Sequence, residues 1–156
     1  MSTPGDVDNR REGEGRPRFA RERVAADASS AARLRAELDG WLRAHVVTDG
    51  DGALVNDVLL AVYEGLANAA EYAYLESPTP GTLDVHAHLD SDADALTVTV
   101  TDHGRWQIPR FDPSDPAHRL RGRGIPLMKA LATDASIRTT TAGTQVRLTW
   151  IGLAQS

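Results

Sequence analysis

Apolar residues recur along this chain with two different periods, and the switches between them divide it into blocks. Residues 19–24 read as a short strand, although their alternation is poor. From residue 27 the period is helical. Leu34, Leu38, Trp41 and Leu42 share one side of a helix running to about 44, with Asp27 or Ser29 placed to cap it. A loop at 48–52 leads into a second helical stretch over about 53–76, which stops before Pro78. At roughly 100° per residue, Val55, Leu59, Val62, Leu66, Ala69 and Ala73 fall into one stripe that packs on a sheet. The period then becomes two. Leu83, Val85, Ala87 and Leu89 share one face of a strand at 82–89, and Leu96, Val98 and Val100 share one face of a strand at 95–101. Residues 103–121 contain Pro109, Pro113 and Pro116 and read as a long irregular loop; in a compact domain that length belongs to a lid or binding loop. Gly122 and Gly124 open a third helix to about 132, and strands near 136–140 and 144–151 follow. The expected class is α/β, an α+β sandwich with helices layered on one face of a mostly antiparallel mixed sheet.

Composition narrows the chemistry. With 156 residues the chain has room for one domain, expected at 18–156. Residues 1–17 are almost free of apolar side chains and are expected to form a disordered tail. There is no cysteine, which excludes disulfides, zinc–thiolate sites, iron–sulfur clusters and a cysteine nucleophile. No apolar run is long enough for a membrane span and the N-terminus has no apolar signal core, so a cytoplasmic location is expected. The net charge of −5 argues against a nucleic-acid footprint. Sixteen of the 17 basic residues are arginine, Lys129 being the exception.

Two polar residues stand out on the second helix. Glu64 and Asn68 are four apart and therefore neighbours, and both lie away from the apolar stripe. Leu60, Ala61, Ala67 and Ala70 surround them in place of the usual solvated charges. The plain alternative is a solvated outer face. The functional one is a carboxylate and a carboxamide at a ligand: an amide oxygen suits Mg²⁺, and a carboxylate can take a proton.

Asp102 continues the parity of Leu96, Val98 and Val100, so its carboxylate points toward the core side at the end of its strand. An unpaired buried carboxylate costs several kcal/mol, so Asp102 needs donors. Thr144, which shares the parity of Val146, Leu148 and Trp150, and the backbone near Gly104 are candidates, as is the exocyclic amine of a purine. A strand-end aspartate that merely turns the chain is the alternative. Gly104 allows close approach of backbone to a ligand. Arg121-Gly122-Arg123-Gly124 immediately precedes a helix, where free amides and the helix dipole attract anions. Arg105, Arg110, Arg119, Arg121 and Arg123 against Asp112 and Asp115 leave this loop with three net positive charges in an acidic chain. Such a loop suits a polyphosphate. Asp90, Asp92 and Asp94 lack the glycine and glutamate of a calcium loop and are expected to form a hairpin turn. His86 and His88 share a strand face with no third ligand and are expected to be solvated.

The order of these features is distinctive: AVYEGLANAAEYAY (61–74), VTVTDHGRW (98–106), RGRGIPLMKALATDASI (121–137) and GTQVRL (143–148). Over about residues 19–151 it resembles the ATP-binding domain shared by gyrase B, sensor histidine kinases and MutL, the Bergerat fold. Within that superfamily it is similar to the anti-sigma-factor serine/threonine kinases of the RsbW and SpoIIAB type. The resemblance implies Mg²⁺ held by Asn68, Glu64 as general base, and the adenine amino group accepted by Asp102 with help from Thr144. It further implies Gly104 along the base, and Arg121, Gly122, Arg123 and Gly124 at the phosphates. ATP and Mg²⁺ are the implied cofactors. The implied partners are an anti-anti-sigma protein of the STAS type, which is the phosphorylated substrate, and a sigma factor. A homodimer is implied, and Arg33 or Arg35 would lie on the partner face. In one respect the chain departs from the family: the first glycine-rich box normally reads Asp-x-Gly-x-Gly, and Trp106 replaces its second glycine. That departure keeps open a non-catalytic, nucleotide-responsive binding module. A histidine-kinase reading lacks an upstream helical hairpin with a phosphoacceptor histidine.

Overall fold

The computed structural model describes residues 17–46, 52–72, 81–90, 94–104 and 124–153. All but one residue of the expected tail, and most of the 103–121 loop, lie outside these. The elements in chain order are β1 (Arg18–Ala25), α1 (Ala28–His45), α2 (Ala53–Tyr72), β2 (Thr82–Asp90), β3 (Ala95–Asp102), α3 (Gly124–Leu131), β4 (Asp134–Thr140) and β5 (Gly143–Ile151).

The five strands form one sheet in the order β1-β2-β3-β5-β4, and each pairing between neighbours is antiparallel. Period-2 alternation sets the register, because a one-residue slip would turn every apolar side chain outward. Three rows of apolar side chains cross the inner face: Leu89, Leu96 and Trp150; Ala87, Val98 and Leu148; Val85, Val100 and Val146. All nine are buried. The fourth row breaks the chemistry: Leu83, Asp102 and Thr144.

The helices cover this face. α2 lies on β3 and β5, α1 packs against β1 and α2, and α3 packs against α2 and β4. The expected stripe of α2 is buried from Val55 to Ala69, its last member Ala73 lying outside the described residues, and Val58, Ala61 and Gly65 on its flank are buried too. Trp150 joins the C-terminal end of α3 to the sheet, its Nε1 donating to the carbonyl oxygen of Leu131 at 2.9 Å.

The poor alternation of the first strand has a structural cause. The register of β1 against β2 shifts between Arg21 and Val24, and Arg23 adopts φ 55°, the left-handed region. The extra residue of such a bulge disrupts the two-residue period. Before the bulge the strand is anchored to α1. Phe19 is buried 6.0 Å from the ring of Trp41, and the guanidinium of Arg21 stacks 4.3 Å above the Phe19 ring. Arg21 also pairs with Glu37 of α1 at 3.1 Å. Arg33 and Arg35, both candidates for the partner face, are exposed on α1.

Helix α1 is capped by Asp27, whose side chain accepts from the Ser30 backbone amide at 2.7 Å. That bond, assisted by the Ser30 side chain, holds the Asp27 carboxyl below its ordinary range. A carboxyl whose folded-state pKa is depressed adds stability above its unfolded value, and that stability disappears as pH falls through the folded value. Asp27→Ala is therefore expected to lower the urea midpoint at neutral pH and to leave it nearly unchanged at the acid end. Urea titrations of both proteins across the acid limb read this difference directly.

No helix among the described residues is long and apolar enough to cross a membrane. His86 is exposed and His88 half-buried, and the described residues hold no cluster of three metal-ligating side chains.

Candidate functional site

The polar row at the end of the sheet is a built structure. Asp102 ends β3 on the inner face, 2% exposed, directly opposite Thr144 of β5. Its Oδ1 accepts two backbone amides, from Gly104 at 3.2 Å and from Thr144 at 3.2 Å. The first bond folds the chain back on itself just after the strand; the second ties that turn to β5. A carboxylate buried this deeply is tolerable because donors face it. The parity of β3 placed the side chain inward; the backbone at Gly104 donates as expected, whereas Thr144 donates through its backbone amide and not through its hydroxyl.

Beside it, the hydroxyl of Thr144 is orphaned. Thr144 is 1% exposed, and its Oγ1 has no hydrogen-bond partner among the described residues. An unpaired buried hydroxyl costs about 1–3 kcal/mol, so its survival next to a carboxylate marks a place where a ligand can supply the partner.

Gly143 makes the close approach possible. It sits at φ 145°, a backbone conformation that L side chains rarely adopt. A Cβ there would fall on the carbonyl oxygen of Asp102 and press on the Cα of His103. The sequence places a glycine before Thr144 but does not disclose this contact.

Glu64 and Asn68 lie on the turn of α2 that also carries Gly65. A Cβ on Gly65 would touch Val100 and Val146, the row adjoining Asp102 and Thr144, and Met128 of α3. The Glu64–Asn68 turn therefore stands over the same end of the sheet as the Asp102 cluster. Here the expectation needs correction. Asn68 does not stand clear of the packed face but is buried at its rim, 6% exposed, while Glu64 is half-buried one step further round. α3 packs on α2 beside Gly65, and along that flank Val58 and Ala61 are buried as well, which widens the buried arc. Leu60, 41% exposed, marks the open side. A carboxamide on a packed flank is poorly explained by solvation and better by a polar ligand at the rim.

Gly124 is the first residue of α3, as the sequence suggests. Arg121, Gly122 and Arg123 lie outside the described residues, as do Arg105, Trp106, Arg110 and Arg119. The structure thus brings together Asp102, Gly104 and Thr144 by hydrogen bonds and sets Glu64 and Asn68 over the same end of the sheet. Asp84, which lies against the turn after Asp102, was not singled out by periodicity. Its only signal was an acidic residue on the outer parity of an otherwise β-favouring strand.

Comparison with known proteins identifies the class to which this two-layer sandwich belongs. The chain matches the histidine kinase-like ATPase domain family over residues 24–150 and belongs to that family. Among solved structures it is similar to the RsbU and RsbW domains of Rv1364c from Mycobacterium tuberculosis, at 25% identity and a TM-score of 0.64. That match covers 86% of this chain but only 32% of the other. The fold is shared with the SiaB–SiaC complex structure from Pseudomonas aeruginosa, at 14% identity and a TM-score of 0.56 over 97% of this chain and 99% of that one. It is also shared with the histidine kinase domain of the Erythrobacter litoralis EL346 blue-light activated histidine kinase, at 21% identity and a TM-score of 0.52 over 81% and 61%.

Family membership brings nucleotide binding with it, and the residues present fit an adenine nucleotide. A purine amino group is a hydrogen-bond donor, and the buried Asp102 carboxylate, with the Thr144 hydroxyl beside it, would offer it acceptors. The buried carboxamide of Asn68 offers a hard oxygen suited to Mg²⁺.

Proposed function

We propose that the protein is an ATP-dependent serine/threonine kinase and anti-sigma factor, acting by partner switching in the cytoplasm and as a homodimer. Its substrate is a hydroxyl of an anti-anti-sigma protein of the STAS type, and the unphosphorylated partner competes with a sigma factor for it. The observation that carries the nucleotide half of this reading is the buried Asp102 carboxylate, held by two backbone amides beside an unpaired threonine hydroxyl. The similarity to a domain called RsbW supports the anti-sigma half.

Each residue then has a defined task. Asp102 and Thr144 select the base by its amino edge. Gly104 keeps side-chain bulk away from it. Asn68 holds Mg²⁺, and Arg121, Gly122, Arg123 and Gly124 orient the phosphates with guanidinium and amide donors. Glu64 accepts the proton of the attacking hydroxyl as its oxygen bonds to the γ-phosphorus and the bond to the ADP oxygen breaks. Mg-ATP supplies the phosphoryl group and, through the metal, part of its charge neutralisation.

The experiment is phosphotransfer from Mg-ATP to a STAS-type partner. Glu64→Ala is expected to slow transfer by about 10²-fold or more with nucleotide affinity kept. Asn68→Ala is expected to remove the Mg-dependent part of that affinity in calorimetry. If the partner binds tightly to the parent protein and gains no phosphate, the kinase reading fails. The non-catalytic module, which Trp106 in the glycine-rich box favours, then replaces it.

A further inference from the structure

The turn that carries Asp102 and Gly104 is held from both faces of the sheet. On the inner face the Asp102 carboxylate grips the amides of Gly104 and Thr144. On the outer face Asp84 of β2 performs a second fastening. Its Oδ2 lies 3.1 Å from Nε2 of His103, the residue between Asp102 and Gly104. Its Oδ1 accepts the backbone amide of Arg23 at 2.8 Å. Arg23 is the residue of the β1 bulge in the left-handed region. One largely buried carboxylate thus joins a strained bulge on the edge strand to the turn at the site.

Two observations separate this arrangement from an ordinary surface pair. Asp84 is much less exposed than a solvated carboxylate, with 17% of its side-chain surface accessible. The backbone amide it fastens also belongs to a segment with unusual geometry: Arg23 has a conformation that costs a non-glycine residue energy. Strain of this kind persists where surrounding contacts over-determine it.

We infer that Asp84 is a positioning residue for the base end of the nucleotide site. Through His103 it sets the Asp102-x-Gly104 turn, and through Arg23 it makes the bulge of β1 part of the same support. The inference rests on the nucleotide reading for its functional consequence, but not for its structural one. Asp84 touches no ligand; it acts by keeping the amide of Gly104 and the carboxylate of Asp102 in register, so that a base meets a preformed edge.

The test uses the full chain with Asp84→Ala, Asp84→Asn, His103→Ala and the Asp84→Ala/His103→Ala pair. The first readout is amide hydrogen exchange in nucleotide-free protein. Asp84→Ala and His103→Ala are each expected to speed exchange at Gly104 and Thr144 by about fivefold or more, with Val98 and Leu148 in the sheet centre unchanged. The second readout is ADP affinity by calorimetry, expected to weaken about fivefold in each single variant and no further in the pair, as for two groups acting as one unit. Asp84→Asn keeps an acceptor for Arg23 and a polar partner for His103, and is expected to restore most of both. Should Asp84→Ala fail to fold, His103→Ala decides, because it leaves the Arg23 bond untouched. Exchange at Gly104 and Thr144 that is unchanged, or that rises only in step with the whole sheet, overturns the proposal. So does parent-like ADP affinity in His103→Ala. Failure of the parent protein itself to bind ADP would instead remove the nucleotide reading, and the exchange data would still judge whether Asp84 sets the turn.

Discussion

Gly143→Ala is expected to destabilise the protein by about 3 kcal/mol, a large share of the 5–15 kcal/mol that holds a domain of this size together. Two costs add. The backbone at φ 145° is strained for any L side chain, and the new Cβ would fall on the backbone of Asp102, which has no rotamer with which to retreat. Relief requires β3 and β5 to part at the row that carries Asp102 and Thr144. The molecules that remain folded are therefore expected to lose nucleotide affinity as well. Gly152 offers the control. It too has a positive φ, 69°, but a Cβ there meets nothing within 4 Å, so Gly152→Ala should cost about 1 kcal/mol from the backbone alone. Urea midpoints of the two variants compare these cases. Equal midpoints would show that Gly143 is needed only for its dihedral angle and not for the close approach.

Asp102→Asn is expected to leave the fold in place and to invert the choice of base. The amide oxygen can still accept from Gly104 and Thr144, so the turn keeps the two bonds that shape it. The second position changes from an acceptor to an NH₂ donor. Facing the amino group of adenine, a donor replaces a charged acceptor, and ATP affinity should fall about 10²-fold, roughly 2.7 kcal/mol. A 6-oxo purine presents an acceptor at that position, so inosine triphosphate should lose much less or gain. Calorimetry with both nucleotides on both proteins measures the crossover. If Asp102→Asn binds ATP like the parent, Asp102 does not contact the base.

How much of this was legible beforehand differs by element. The sheet was legible because its strands are buried on one face, so Leu83 to Leu89, Leu96 to Val100 and Val146 to Trp150 alternate strictly and their parity fixes which face is inside. The same parity extends to Asp102 and Thr144. β1 was harder, since the bulge at Arg23 takes one residue out of the two-residue period. The stripe of α2 was legible, but the width of its buried arc was not. That width goes with α3 docking beside Gly65, a tertiary contact that leaves no periodic mark on α2 itself. Asp84 was invisible for a similar reason: on the outer parity of β2 an aspartate is what a solvated face would carry, and only the register against β1 and the turn after β3 brings Arg23 and His103 to it. The Gly143 contact with Asp102 joins residues 41 apart in the chain, and no local pattern encodes it.

The strand order has a consequence for how the site comes into being. β5 is the last strand described, yet it is inserted between β3 and β4 and supplies Gly143 and Thr144. On the ribosome the chain can lay down β1, β2, β3 and both long helices before β5 emerges, but Asp102 then lacks one of its two amide donors and the sheet exposes a raw edge. On the proposed reading of the site, nucleotide capture by a nascent chain waits for synthesis to pass Thr144. A molecule cut short anywhere before that point would carry the helix and the acid without the strand that supplies Gly143 and Thr144.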